Sequence, residues 1–158
     1  MERNRLERFW KVVTIIGKLQ KEMPSDLKQF IAEVVESYEF KDKDIFTTYY
    51  LDERKIKQIA NERGVTPAAI DRRIKRVEVD VAAEYLYRFE GIKINGYDLR
   101  KAGASYRSVN MLLRRGVYEV QDLCSMTKEE AENINGIGRK GVNEIEDALS
   151  KMQLHFKE

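Results

Sequence analysis

The sequence is poor in the residues on which most site chemistry depends. Its 158 residues include one cysteine, Cys124, so an internal disulfide and a cysteine-based zinc site are excluded. One histidine, His155, excludes a two-histidine metal site and argues against Ser/His or Cys/His nucleophilic catalysis. The longest apolar pieces resemble Val12-Val13-Thr14-Ile15-Ile16 and fall far short of the roughly 20 residues that span a bilayer. Met1 to Arg8 carries five charges and no apolar stretch of signal length follows, so no secretory signal is expected. Two prolines, Pro24 and Pro67, are too few to break the sequence into many elements, and both stand where helices start. A cytoplasmic, non-enzymatic protein without cofactor or membrane contact is the expectation.

What remains is 42% hydrophobic and 35% charged, enough apolar material for a core. Net charge is only +2, but the charges are segregated. From Lys93 to Arg115 six basic residues face Asp98 alone, and from Glu119 to Glu132 five acidic residues face Lys128 alone. Arg72, Arg73, Lys75 and Arg76 crowd beside Asp71. A nearly neutral molecule can still present basic faces this way.

Helical periodicity dominates, so the fold class is all-α. From Arg3 to Lys21, Leu6, Phe9, Trp10, Val12, Val13, Ile15, Ile16 and Leu19 form an apolar arc that is wide for a surface helix. Burial against the following helices is favoured; a homodimer through residues 3–21 is the other outcome. Pro24-Ser25-Asp26 opens a second helix, with Ser25 or Asp26 as the capping residue and Leu27, Phe30, Ile31, Val34 and Val35 as its stripe. Lys43 to Tyr50 adds Ile45, Phe46, Tyr49 and Tyr50, read as core.

Residues 52–84 carry the first specific pattern. Ile56, Ile59 and Ala60 mark a short helix, Gly64 a turn, Thr66 an N-cap and Pro67 the first helical position. Ile70, Ile74, Val77 and Val81 then form a buried stripe. This is a helix-turn-helix over about 52–80, within a helical domain at 1–90. Ala68, Arg72, Lys75 and Arg76 point away from the stripe, on the face that would enter a major groove. A plain helical hairpin with a solvated basic side is the alternative. The run from Asp44-Ile45-Phe46 through Leu51-Asp52-Glu53-Arg54 to Ile70 is similar to the C-terminal helix-turn-helix of bacterial sigma factors. That resemblance implies Thr66, Ala69, Arg72, Arg73 and Arg76 as DNA contacts. No aromatic-rich segment of the promoter-melting type accompanies it.

Gly91-Ile92-Lys93-Ile94-Asn95-Gly96 breaks the helical period and marks a boundary, with a second domain at 97–158. There, Asn133-Ile134-Asn135-Gly136-Ile137-Gly138-Arg139-Lys140-Gly141-Val142-Asn143-Glu144-Ile145 reads as a helix-hairpin-helix. Its glycines let backbone approach a nucleic acid, and the amides opening the following helix suit a phosphate oxygen. Thr127 caps the preceding helix, with Glu130 completing a capping box. Ile137, Val142, Ile145 and Leu149 anchor the hairpin. A nucleotide-binding glycine loop is disfavoured, since no strand precedes it.

With Gly103 to Leu112 opening one helix, Gly116 to Leu123 a shorter one, and Leu154 and Phe156 closing, the run from Tyr97 to Phe156 resembles the C-terminal domain of the bacterial RNA polymerase α subunit. That family binds the minor groove of A·T-rich promoter elements and touches activators and sigma factor. The resemblance implies Arg107 in the minor groove, Asn110 beside it, Gly138 and Lys140 at phosphate, and Glu144 one turn into the last helix. Gly136 stands where the family has asparagine and Gly141 where it has serine; both lose a side-chain bond to DNA and keep backbone amides. Arg107 and the Arg139/Lys140 pair could clamp one backbone from two sides, because a narrow minor groove concentrates negative potential.

The function expected is a bacterial or bacteriophage transcription regulator that binds double-stranded DNA, one half at each groove, and works with RNA polymerase or sigma factor. Two other readings stay open. One is a structure-specific helix-hairpin-helix protein of repair or recombination. The other is a polymerase-interaction adaptor without DNA binding.

Overall fold

A computed structural model describes residues 3–158. Met1 and Glu2, at the start of the expected 1–90 segment, lie outside the described residues. Among the described residues every regular element is helical, and the only extended pairing is an isolated bridge between Thr127 and Lys157. The protein divides into two compact units between Ile94 and Asn95, inside the glycine-bounded connector.

The first unit is built on helices α1 (Arg3–Gly17), α2 (Leu27–Ser37), α3 (Lys43–Tyr50), α4 (Ile56–Arg63) and α5 (Pro67–Tyr85). A π turn, Leu86–Glu90, extends α5. The wide arc of α1 is spent inside the unit: Phe9 and Val13 are fully buried and Trp10 nearly so, leaving Ile15 64% exposed. The helix stops at Gly17, short of the expected Lys21, where Lys18 takes left-handed backbone. Trp10 Nε1 then donates to the Lys21 carbonyl at 3.1 Å and ties the departing backbone to the helix.

Aromatics fill the centre. Phe9 meets Phe46, Tyr50 and Tyr85 edge-on, at 6.3, 5.8 and 6.3 Å between ring centres. Such pairs add about 0.5–1.5 kcal/mol each beyond their buried area. The core reading of Lys43 to Tyr50 is thus what the structure shows. At α2 the outcome differs from expectation. Asp26 occupies the cap position, but with φ −103° and ψ 23° its carboxylate makes no capping bond. The first-turn N–H of Leu27 instead donates to the Pro24 carbonyl at 3.3 Å.

A part-buried ionic cluster, centred on buried Glu78, joins α1 to α5. The Arg8 guanidinium donates to both carboxylate oxygens of Glu78, at 2.8 and 3.1 Å, and to Asp71 at 3.0 Å. The Tyr50 hydroxyl donates to Glu78, which is only 2% exposed. Burial pushes the Arg8 guanidinium toward neutrality, yet its bonds to Glu78 outweigh that and hold it more firmly protonated than usual. Burial first, and then the Glu78 charge, push the Tyr50 hydroxyl up.

The second unit contains α6 (Tyr97–Lys101), α7 (Tyr106–Arg114), α8 (Val120–Cys124), α9 (Lys128–Glu132) and α10 (Gly138–Lys151). Leu99, Val109, Leu112, Leu123, Ala131, Val142, Ile145, Leu149 and Phe156 form its core. The Lys157 N–H donates to the Met126 carbonyl at 2.8 Å, which seats Phe156. Leu154, expected to close the core with it, is 38% exposed, because the backbone turns at Gln153 with φ 61°.

Candidate nucleic-acid interface

In the first unit, the expected sequence signals appear as geometry. Helices α4 and α5 are joined by the three residues Gly64, Val65 and Thr66. The Thr66 hydroxyl accepts from the Ala69 N–H at 3.1 Å, so this residue is engaged in starting α5, and Pro67 follows at the first helical position. Ile70, Ile74, Val77 and Val81 are buried, which turns the opposite face outward. Arg72, Lys75 and Arg76 are exposed there, and Arg73 and Ala69 half-buried beside them.

The four cations of this face are not equivalent. Lys75 pairs with Asp71 at 3.0 Å, and Asp71 also holds Arg8 at 3.0 Å. Burial works to raise the Asp71 carboxyl, but Lys75 and Arg8 together prevail and keep it below the ordinary carboxylate value. Among the described residues, Arg72, Arg73 and Arg76 enter no ion pair. Their charge is therefore available to an external anion.

In the second unit two helix starts are brought side by side. Helix α10 begins at Gly138, with Ile137 in the cap position and no capping bond from its apolar group. Its first-turn N–H groups and positive dipole end are left for an anion. The hairpin before it needs glycine twice over. Gly136 and Gly138 have φ of +92° and +67°, a region other residues enter only with strain. A Cβ on Gly136 would also lie 2.6 Å from Met111 Sδ of α7.

Helix α7 is fixed against this hairpin from below. Ser105 Oγ accepts from the Ser108 N–H at 3.2 Å and caps α7. Glu144 on α10 accepts from the Ser105 backbone N–H. Ser108, 6% exposed, lies under Gly141, where a Cβ would come within 3.3 Å of its hydroxyl. These contacts pack α7 against the hairpin and α10, and Arg107 in the first turn of α7 and Arg139 and Lys140 in the first turn of α10 are all exposed. The structure thus joins Ser105, Ser108 and Met111 to Glu144, Gly141 and Gly136 in one group, with Arg107, Gly138, Arg139 and Lys140 exposed and Asn110 half-exposed on the same elements. Within the group, Gly141 and Glu144 face inward and support it.

Arg100 escaped the reading of the sequence as a member of this group. Its guanidinium donates to Asn110 Oδ1 at 3.2 Å. Nothing local signals that pairing, because the intervening backbone reverses at Gly103. Buried Ser108 was likewise invisible as the floor beneath Gly141.

Among the described residues no cluster of three or more histidine, cysteine or acidic side chains could hold a metal ion. No helix of the described residues is long and apolar enough to cross a membrane.

Comparison with known proteins finds a family over most of the second unit. Residues 98–151 match the family model for the C-terminal domain of the bacterial RNA polymerase alpha subunit. The DNA-directed RNA polymerase subunit alpha of Mesoplasma florum is 38% identical over 52 residues, 33% of this protein and 16% of that subunit. That of Aquifex aeolicus is 36% identical over 82 residues, 52% of this protein and 23% of the subunit. That of Kineococcus radiotolerans is 22% identical over 148 residues, 94% of this protein and 41% of the subunit. The protein therefore spans less than a quarter of the length of the first two relatives it matches. No solved structure gives a significant match.

Proposed function

We propose, from a C-terminal unit of the RNA polymerase α C-terminal type, that the protein is a double-stranded DNA-binding regulator of transcription that works beside RNA polymerase. The observation that supports this reading is the uncapped start of α10, carrying exposed Arg139 and Lys140, on a helix tied through Glu144 to the cap of α7, the helix that carries exposed Arg107. One guanidinium can enter a narrow minor groove while backbone amides and two cations hold the flanking phosphates. Phosphate contacts of this kind position a protein and carry little sequence information. In the first unit, the exposed Arg72 and Arg76 on α5, with half-buried Arg73, support a separate reading of the major groove by a sigma-like helix-turn-helix. Both activities are binding, and neither asks for a catalytic group.

Fluorescence polarisation on A·T-rich duplexes over a salt series tests this. Arg107→Ala and Lys140→Ala should each weaken binding and lower the log–log salt slope by about one unit. Arg72→Ala should weaken binding through the first unit. No duplex binding at low salt would sink the reading, and polymerase capture without DNA binding would turn it into an adaptor. Equal affinity for junctions, gaps and A·T-rich duplexes would favour a structure-specific role in repair, as the hairpin alone would give.

A further inference from the structure

The Arg100–Asn110 contact supplies a chemical asymmetry that the basic face alone lacks. Arg100 lies on α6 and reaches Asn110 on α7 through a guanidinium N–H at 3.2 Å. A guanidinium carries five donors and no acceptor. The end of the Asn110 amide that faces it must therefore be oxygen, whatever the usual ambiguity between amide O and N. With Oδ1 engaged, the planar amide presents Nδ2 and its two hydrogens away from Arg100.

Asn110 follows Arg107 by three residues, so the two share one edge of α7. Met111, next on that edge, covers Gly136 of the hairpin. Asn110 is half-exposed one turn along from Arg107, on the side of α7 that meets Arg100. In the minor groove an A·T pair shows only acceptors, whereas G·C adds the guanine amino donor. A side group held as a donor fits the first and opposes the second. An amide free to rotate could offer its oxygen to the guanine amino group and accept both.

We propose that Arg100 is a positioning residue that fixes Asn110 as a hydrogen-bond donor, and that this contact sets a preference for A·T over G·C base pairs. The inference rests on minor-groove binding by the second unit.

The test uses the full-length protein and three duplexes of one length: A·T-rich, G·C-substituted, and inosine·cytosine-substituted. Inosine pairs lack the amino group, so they separate that group from base-pair identity. The wild type should bind the A·T and inosine duplexes about tenfold more tightly than the G·C duplex, in the range of one good base contact. Arg100→Met removes every donor and should bring the three within about twofold. Arg100→Lys, also donor-only, should restore the discrimination. Loss of positive charge alone would weaken all three duplexes equally, which distinguishes positioning from simple attraction. Discrimination retained in full by Arg100→Met overturns the inference and leaves DNA binding intact. A wild type that binds all three alike does the same. A wild type that binds none overturns the proposed function itself. Should Arg100→Met unfold, Asn110→Ala serves in its place, and undiminished discrimination in that variant overturns the role of the contact.

Discussion

Glu144 on α10 accepts a hydrogen bond from the backbone N–H of Ser105, the residue that caps α7. One carboxylate oxygen therefore braces two helix starts that carry the exposed cations. Glu144→Ala removes the acceptor and leaves a part-buried N–H unsatisfied. It should lower stability by about 1.5–3 kcal/mol, the range for hydrogen bonds to charged groups. Glu144→Gln keeps an oxygen and should recover much of the loss. Thermal unfolding, with amide exchange at Ser105, measures both; an alanine variant as stable as wild type refutes the brace.

Gly141 presents two opposed effects. Alanine in a helix interior gains about 1 kcal/mol over glycine. A Cβ here, however, would stand 2.8 Å from Ile137 Cγ2, and Ile137 is itself buried at the hairpin. Overpacking costs about 1–3 kcal/mol. Gly141→Ala should therefore be destabilised by about 1 kcal/mol in urea unfolding. A higher midpoint than wild type would mean that Ile137 gives way freely.

The cluster under α5 makes an uneven prediction. Glu78→Ala removes the acceptor that Arg8 and Tyr50 share, while part-exposed Arg8 keeps Asp71, so the cost should be about 1.5–3 kcal/mol, the range for hydrogen bonds to charged groups. Tyr50→Phe removes one neutral donor and should cost about 1 kcal/mol. Denaturant unfolding that ranks the two variants the other way would contradict the assignment of Glu78 as the shared acceptor.

Two groups give the first unit opposite pH limbs. The Asp71 carboxyl is held below its ordinary 3.8 by Lys75 and Arg8, which overcome its burial. A carboxyl that ionises more readily in the folded state stabilises that state at neutral pH, and this is lost as pH falls through 3.8 and below. Asp71→Asn should flatten that acid limb. Tyr85 runs the other way. Burial, then the nearby carboxylates of Glu90 and Asp26, push its hydroxyl from 10.0 to about 12. Its contribution is complete below pH 10 and is lost as pH climbs toward 12. Spectrophotometric titration should show a late tyrosine that Tyr85→Phe abolishes; titration at the ordinary value would remove the alkaline effect.

Much of this was legible in the sequence because the signals were local. Thr66, Pro67 and the stripe from Ile70 to Val81 each act within a turn or two, and they delimit α5 closely. The hairpin announced itself through Gly136 and Gly138, whose backbone few other residues could adopt. Where one local choice competed with another, the reading was weaker. Asp26 offered a carboxylate as cap, and the backbone used the Pro24 carbonyl. Contacts between distant positions left no trace: Arg8 meets Glu78 from 70 residues away, and Arg100 meets Asn110 across a reversal of the backbone. Short α6 escaped as well, since five residues cannot display a helical period.

Helix α5 has its outward arginines in its first half and the fully buried Val81 and Ala82 in its second. The surface offered to a ligand is thus one side of a rigid beam whose opposite side is buried from Ile70 to Val81. Association would freeze only a few side-group rotors, with no loop to order and no segment to fold. The entropic penalty falls on guanidinium rotamers, about 0.5–1.5 kcal/mol for each one immobilised. Calorimetry on that surface should therefore show a heat-capacity change typical of rigid docking, well short of coupled folding.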